Sequence, residues 1–101
     1  MTLNVPTKNG LKRVKVEKIT KILGIKCFIH RDIDSRKRWV VSEYSTGGAF
    51  CIGESINEVI KSARLMIGKR GIEATESAIA DFIKEHNTAN IEKQAKGARK
   101  G

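Results

Sequence analysis

Between Leu23 and Ile33 the chain reads LGIKCFIHRDI. Leu23, Ile25, Cys27, Ile29 and Ile33 fall on odd positions, and Lys26, His30 and Asp32 on even ones. Successive strand side chains point to opposite faces, so this alternation predicts a strand with one buried face. Phe28 breaks the pattern, so the second face is not expected to be wholly wet. Asp34-Ser35-Arg36-Lys37 reads as a turn, because Asp and Ser bond locally to the backbone. Residues 38–45, RWVVSEYS, are rich in β-branched and aromatic side chains and predict a second strand. Thr46-Gly47-Gly48 signals a tight turn, and residues 49–53, AFCIG, a short third strand. Three strands joined by two tight turns predict an antiparallel meander.

After Gly53 the period changes. Ser55-Ile56-Asn57-Glu58 has the form of a capping box, in which Ser55 accepts from the Glu58 N–H and Glu58 reaches back to the Ser55 N–H. Ile56, Val59, Ile60, Ala63, Met66 and Ile67 then recur at helical spacing, which predicts an amphipathic helix ending at Gly68 or Gly71. A second helix is expected from about Thr75 to His86, with Ile79, Phe82 and Ile83 on its apolar stripe. Val14–Leu23 fits two patterns. Val14, Val16 and Lys18 alternate like a strand; Val16, Ile19, Thr20 and Leu23 recur like a helix ending at Gly24. The strand is the preferred reading. The expected fold class is α+β: a three- or four-stranded antiparallel sheet followed by two helices packed on one face. Residues 1–13 are expected to form a flexible basic arm, 14–87 a single domain, and 88–101 a disordered basic tail.

Length and composition agree with one domain. The chain has 101 residues, 40% hydrophobic and 5% aromatic, so its core is small and mostly aliphatic. No apolar run approaches the roughly 18 residues of a membrane span, and MTLNVPTKNG has no apolar signal-peptide core. Two cysteines make no disulfide framework. A cytoplasmic location is the expectation.

Charge adds the most. The net charge is +9, unevenly spread. Residues 1–53 carry 11 basic and 4 acidic side chains, and residues 54–101 carry 9 and 7. Lys8, Lys12, Arg13, Lys15, Lys18, Lys21 and Lys26 face only Glu17 in their stretch, and Arg36-Lys37-Arg38 forms a second cluster.

Catalytic sets are not evident. Asp32 and Asp34 have Arg31 and Arg36 beside them, which suits charge balance better than acid–base work. Cys27-x-x-His30 has a metal-like spacing, but on a strand these positions point to opposite faces, and zinc needs converging ligands. Gly47-Gly48 lacks the strand–glycine–Lys–helix order of a phosphate loop. No enzyme activity, metal or cofactor is predicted. The basic residues instead suit phosphate binding with counterion release. The candidate binding residues for nucleic acid or a partner are Lys12, Arg13, Lys15, Lys18, Lys26, Arg31, Arg36, Lys37, Arg38, Trp39 and Tyr44. Trp39 and Tyr44 sit beside these cations, where an exposed ring could stack on a base; for Trp39 a core anchor is the preferred reading.

The segment Arg38–Ala63, RWVVSEYSTGGAFCIGESINEVIKSA, is similar in layout to small phage and prophage proteins with a "W-x-V … T-G … G-x-[ST]-x-x-E-A-I-x-x-A" pattern. The same meander followed by a Ser/Thr-capped helix resembles the arm-type DNA-binding domains of tyrosine integrases. That resemblance implies a sheet entering the DNA major groove, with Arg36, Arg38, Val40 and Ser42 toward DNA. If Val14–Leu23 were a helix, the order αβββα would also resemble a double-stranded-RNA-binding domain. That family's Lys-Lys-x-Ala-Lys motif is absent at Ser55–Val59, so DNA is preferred over RNA. Two functions are expected. The first is a phage-type nucleic-acid-binding protein acting through sheet and basic arm. The alternative is a phage-encoded inhibitor of a host defence complex, of the anti-CRISPR type, binding a host nucleoprotein by protein contact. A homodimer is compatible with either.

Overall fold

A computed structural model describes residues 1–86. Its strands are β1 (Thr2–Thr7), β2 (Gly10–Ile22), β3 (Ile25–Arg31), β4 (Trp39–Glu43) and β5 (Ala49–Gly53); helices α1 (Ile56–Arg70) and α2 (Ile72–His86) follow. The strands form one antiparallel sheet in the order β1-β2-β3-β4-β5. The protein is therefore α+β, with five strands rather than three or four. The fifth strand, β1, comes from residues expected to be an arm, as does the start of β2, with which it pairs from Thr2↔Lys15 to Thr7↔Gly10. Their polar sequence hides the strand, because most of the hairpin's side chains are exposed. Val14–Leu23 is not helical, so the αβββα order fails; Gly10–Ile22 is a single strand. It turns into β3 at Leu23-Gly24, both at positive φ (51° and 84°), which suits a two-residue hairpin. The tail expected at 88–101 lies outside the described residues.

The helix-facing side of the sheet carries the larger core. Ile22, Ile25, Cys27, Ile29 and Val41 pack with Val59, Ala63 and Ile67 of α1. These include Ile25, Cys27 and Ile29, the odd-numbered apolar residues of β3, as the alternation requires. Ile60, expected in the same stripe, is only half-buried. The α1 N-terminus begins as the capping pattern predicts, with the Glu58 N–H donating to Ser55 Oγ at 3.1 Å. The reciprocal bond differs: Glu58 Oε1 accepts from the Glu54 N–H at 3.0 Å. The helix ends at Gly71, whose N–H bonds to the Ile67 carbonyl, and α2 starts at the next residue, three positions before Thr75.

The opposite side of the sheet has its own core, Val5, Val14 and Phe28, flanked by Leu3, Val16 and Tyr44. Phe28 is fully buried there. The cover comes from β1. A β-bulge makes this geometry possible: Val16 pairs with His30 and Lys18 with Ile29, leaving Glu17 as the extra residue. A bulge bends its strand and increases its twist. Residues 10–15 of β2 then pair with β1, and residues from Val16 on with β3. The β4–β5 turn receives β1. A Cβ on Gly47 would collide with the Asn4 carbonyl oxygen and come within 3.0 Å of the Val5 Cα. That turn is built on buried Glu43, whose carboxylate accepts from the Ser45 N–H, the Ser45 hydroxyl and the Thr46 N–H. The strand expected through Ser45 therefore stops at Glu43.

Candidate nucleic-acid interface

Arg31 ends β3 and Trp39 begins β4, and the two are a cross-strand pair. The Arg31 guanidinium lies 3.8 Å from the centroid of the Trp39 ring. Beneath, Trp39 is half-buried against the helix-side core. Next to this pair, at the bulge, β2 presents Lys12, Arg13, Lys15 and Glu17. The β3–β4 loop adds Asp32, Ile33 and Arg36, and together these residues line a depression of about 410 Å³.

Of the residues picked out by sequence, Lys12, Arg13, Lys15, Arg31, Arg36 and Trp39 converge here. The bulge has a part in this, since one extra residue re-aims every side chain before it relative to those after it. Lys37 and Arg38 are exposed on the adjoining loop. Arg38 reaches back to Asp32, with Nε 3.7 Å from Oδ2. Asp32 also accepts from the Asp34 N–H at 3.2 Å, which shapes the loop. Lys18 is exposed beyond the bulge and does not line the depression. Lys26 and Tyr44 belong elsewhere. Lys26 sits five residues from Arg31 on β3, about 16 Å at the usual strand rise, and its Nζ caps the Tyr44 ring at 4.0 Å. Tyr44 also meets Phe28 edge-on at 6.4 Å and closes the second core. Tyr44 is therefore a packing residue. Trp39 is a partly covered ring: the core holds one part of it, Arg31 lies against it, and the rest lines the depression.

The pattern carried over from the integrase resemblance is corrected in two positions. Val40 and Ser42 do not face outward: they are 4% and 1% exposed, on the side covered by β1. Ser42 bonds to His30, itself 3% exposed, with Oγ 2.9 Å from Nε2. His30 Nδ1 is 2.8 Å from the Arg31 carbonyl. A carbonyl only accepts, so Nδ1 carries the proton and the Ser42 hydroxyl donates to Nε2. Burial pushes the His30 pKa below its ordinary value, opposed by the Arg31 carbonyl and by nearby Asp32. A serine donating to a neutral histidine has the connectivity of a nucleophile and its base. Both groups are at most 3% exposed, although they line a depression of about 140 Å³ together with Val5 and Pro6, and the pair is a satisfied hydrogen bond beneath β1.

Sequence reasoning missed Glu17 and Asp32 as lining residues. The one available signal was Glu17's position as the only acid within a run of cations. Cys27 and His30 fall on opposite faces, and Cys27 belongs to the helix-side core, where burial raises its thiol pKa to about 12. Among the described residues no cluster of His, Cys, Asp and Glu could hold a metal ion. No helix among them is long and apolar enough to cross a membrane. The chain matches no family model, no curated protein and no solved structure.

Proposed function

We propose that this is a small, non-enzymatic nucleic-acid-binding protein that engages backbone phosphates through the depression between the β1–β2 hairpin and the Arg31–Trp39 end of the sheet. The observation that carries this reading is the convergence of Lys12, Arg13, Lys15, Arg31 and Arg36 on one concave surface. Two carboxylates, Glu17 and Asp32, share that surface, and Arg38 partly neutralises Asp32. The remaining charge is positive and concentrated. A ligand that replaces condensed counterions with these side chains gains affinity in a salt-dependent way. Arginine adds planar, multidentate donors suited to phosphate oxygens.

The test is a salt titration of binding, followed by fluorescence anisotropy. Five phosphate contacts predict a slope of log affinity against log salt of about −3.5 to −4.5. Replacing Lys12, Arg13 and Lys15 together with Ala should reduce that slope by roughly 2–3. Replacing Lys61, Arg64 and Lys69, exposed on α1, should leave it unchanged. Equal effects of the two triple variants would reject the depression as the interface. Absence of binding to DNA and RNA at low salt would reject the function and favour a phage-type inhibitor acting by protein contact.

A further inference from the structure

The cations here line a hollow, and duplex DNA is convex. Proteins that read a duplex push a helix or a β-ribbon outward into its groove. Here Arg31, Arg36 and Trp39 lie in a depression of about 410 Å³ beside the β1–β2 hairpin, not on an outward ridge. The depression is of the size that accepts a small planar group together with its neighbouring phosphates. The lining carries a planar group already: the Arg31 guanidinium, 3.8 Å from the Trp39 ring centroid. Arg31 is exposed and takes part in no salt bridge with a described residue. Trp39 thus packs against the guanidinium, and the exposed Arg31 side chain lines the depression. Guanidinium planes are known platforms for unstacked bases, which a single strand can present and a duplex cannot.

Resting on the reading proposed above, we infer that the depression takes single-stranded nucleic acid, with one unpaired base stacked on the Arg31 guanidinium that Trp39 holds in place. Lys12, Arg13 and Lys15 then contact the phosphates that flank this base. The roles are separable. Phosphate contacts set the salt slope, and the stack supplies affinity that salt does not screen. Trp39 is the sole tryptophan of the chain, so its emission reports on the stack directly.

The experiment compares a single-stranded DNA oligonucleotide with the duplex of the same sequence, at matched salt, by anisotropy and by Trp39 fluorescence. The single strand should bind more tightly and change the Trp39 emission. Arg31→Lys keeps the charge and removes the plane. It should weaken single-strand binding roughly tenfold, leave the salt slope intact and spare whatever duplex binding exists. Because Arg31 is exposed, the variant is expected to melt with the native protein; Trp39→Phe, which keeps a ring under Arg31, is the second variant and should retain most of the affinity. Equal or tighter duplex binding overturns the inference while leaving the nucleic-acid reading standing. So does an Arg31→Lys variant that weakens both ligands alike, or a single strand that binds without changing Trp39 emission. Binding of neither ligand overturns the underlying reading itself.

Discussion

Gly47→Ala tests whether the N-terminal strand covers the second face of the sheet. Two costs act at this position. Gly47 has φ +76°, a conformation that costs an L-residue about 1–2 kcal/mol. The added methyl would also run into the Asn4 carbonyl oxygen, the Val5 Cα and the Pro6 ring. Two of those contacts are to backbone, which cannot swing aside as a side-chain end can, so overpacking adds about 1–3 kcal/mol. The total is about 2–5 kcal/mol. Gly24→Ala provides the matched control, because Gly24 has φ +84° and an added Cβ there meets nothing within 4 Å. It should show the first cost alone. The difference between the two variants therefore measures the packing of β1 on the β4–β5 turn, and should lower the melting temperature by a further 4–8 °C or so for each kcal/mol. Thermal and urea denaturation followed by circular dichroism give both values. Amide exchange should also speed up along Thr2–Thr7 in Gly47→Ala and not in Gly24→Ala. Equal destabilisation by the two substitutions, with β1 exchange unchanged, would refute the packing of β1 over Phe28.

Two further predictions concern the cores. Ile67→Ala should cost roughly 2–5 kcal/mol, because Ile67 is fully buried, and Ile60→Ala clearly less, because Ile60 is half-buried; urea titrations in which the two cost the same would contradict the orientation of α1. The His30 pKa is lowered in the folded state, so below about pH 6.5 the unfolded chain takes up a proton that the native state refuses. Stability is therefore full above that pH and falls as pH decreases toward the native pKa, by at most about 1.4 kcal/mol per pH unit. His30→Gln should flatten the melting profile between about pH 7.5 and 5.5 relative to the native protein, and parallel profiles would show that His30 is not buried in its neutral form.

Local sequence settled the elements whose signal is a short period. The α1 helix follows from Ser55 at the cap and apolar residues three and four apart, because each needs only its own turn of backbone. The meander from Ile25 to Gly53 follows from alternation and from the turn residues between strands. Phe28 already indicated a partly covered second face. What covers that face lay beyond local reading. Thr2–Thr7 carries little apolar periodicity, and it becomes a strand because β2 supplies its hydrogen-bond partners and Phe28 its apolar contact. The bulge at Glu17 is invisible to a pattern search for the same reason: it exists only as a mismatch between β2 and its neighbour. The candidate site divides in the same way. Charge density in the first half of the chain pointed to Lys12, Arg13, Lys15 and Arg36 through composition alone. That Arg31 lies on Trp39, that Lys26 is spent on Tyr44, and that Val40 and Ser42 are buried are consequences of register and of the hairpin's fold-over. Periodicity reports which face a side chain takes relative to its own backbone, and only tertiary packing decides what stands opposite that face.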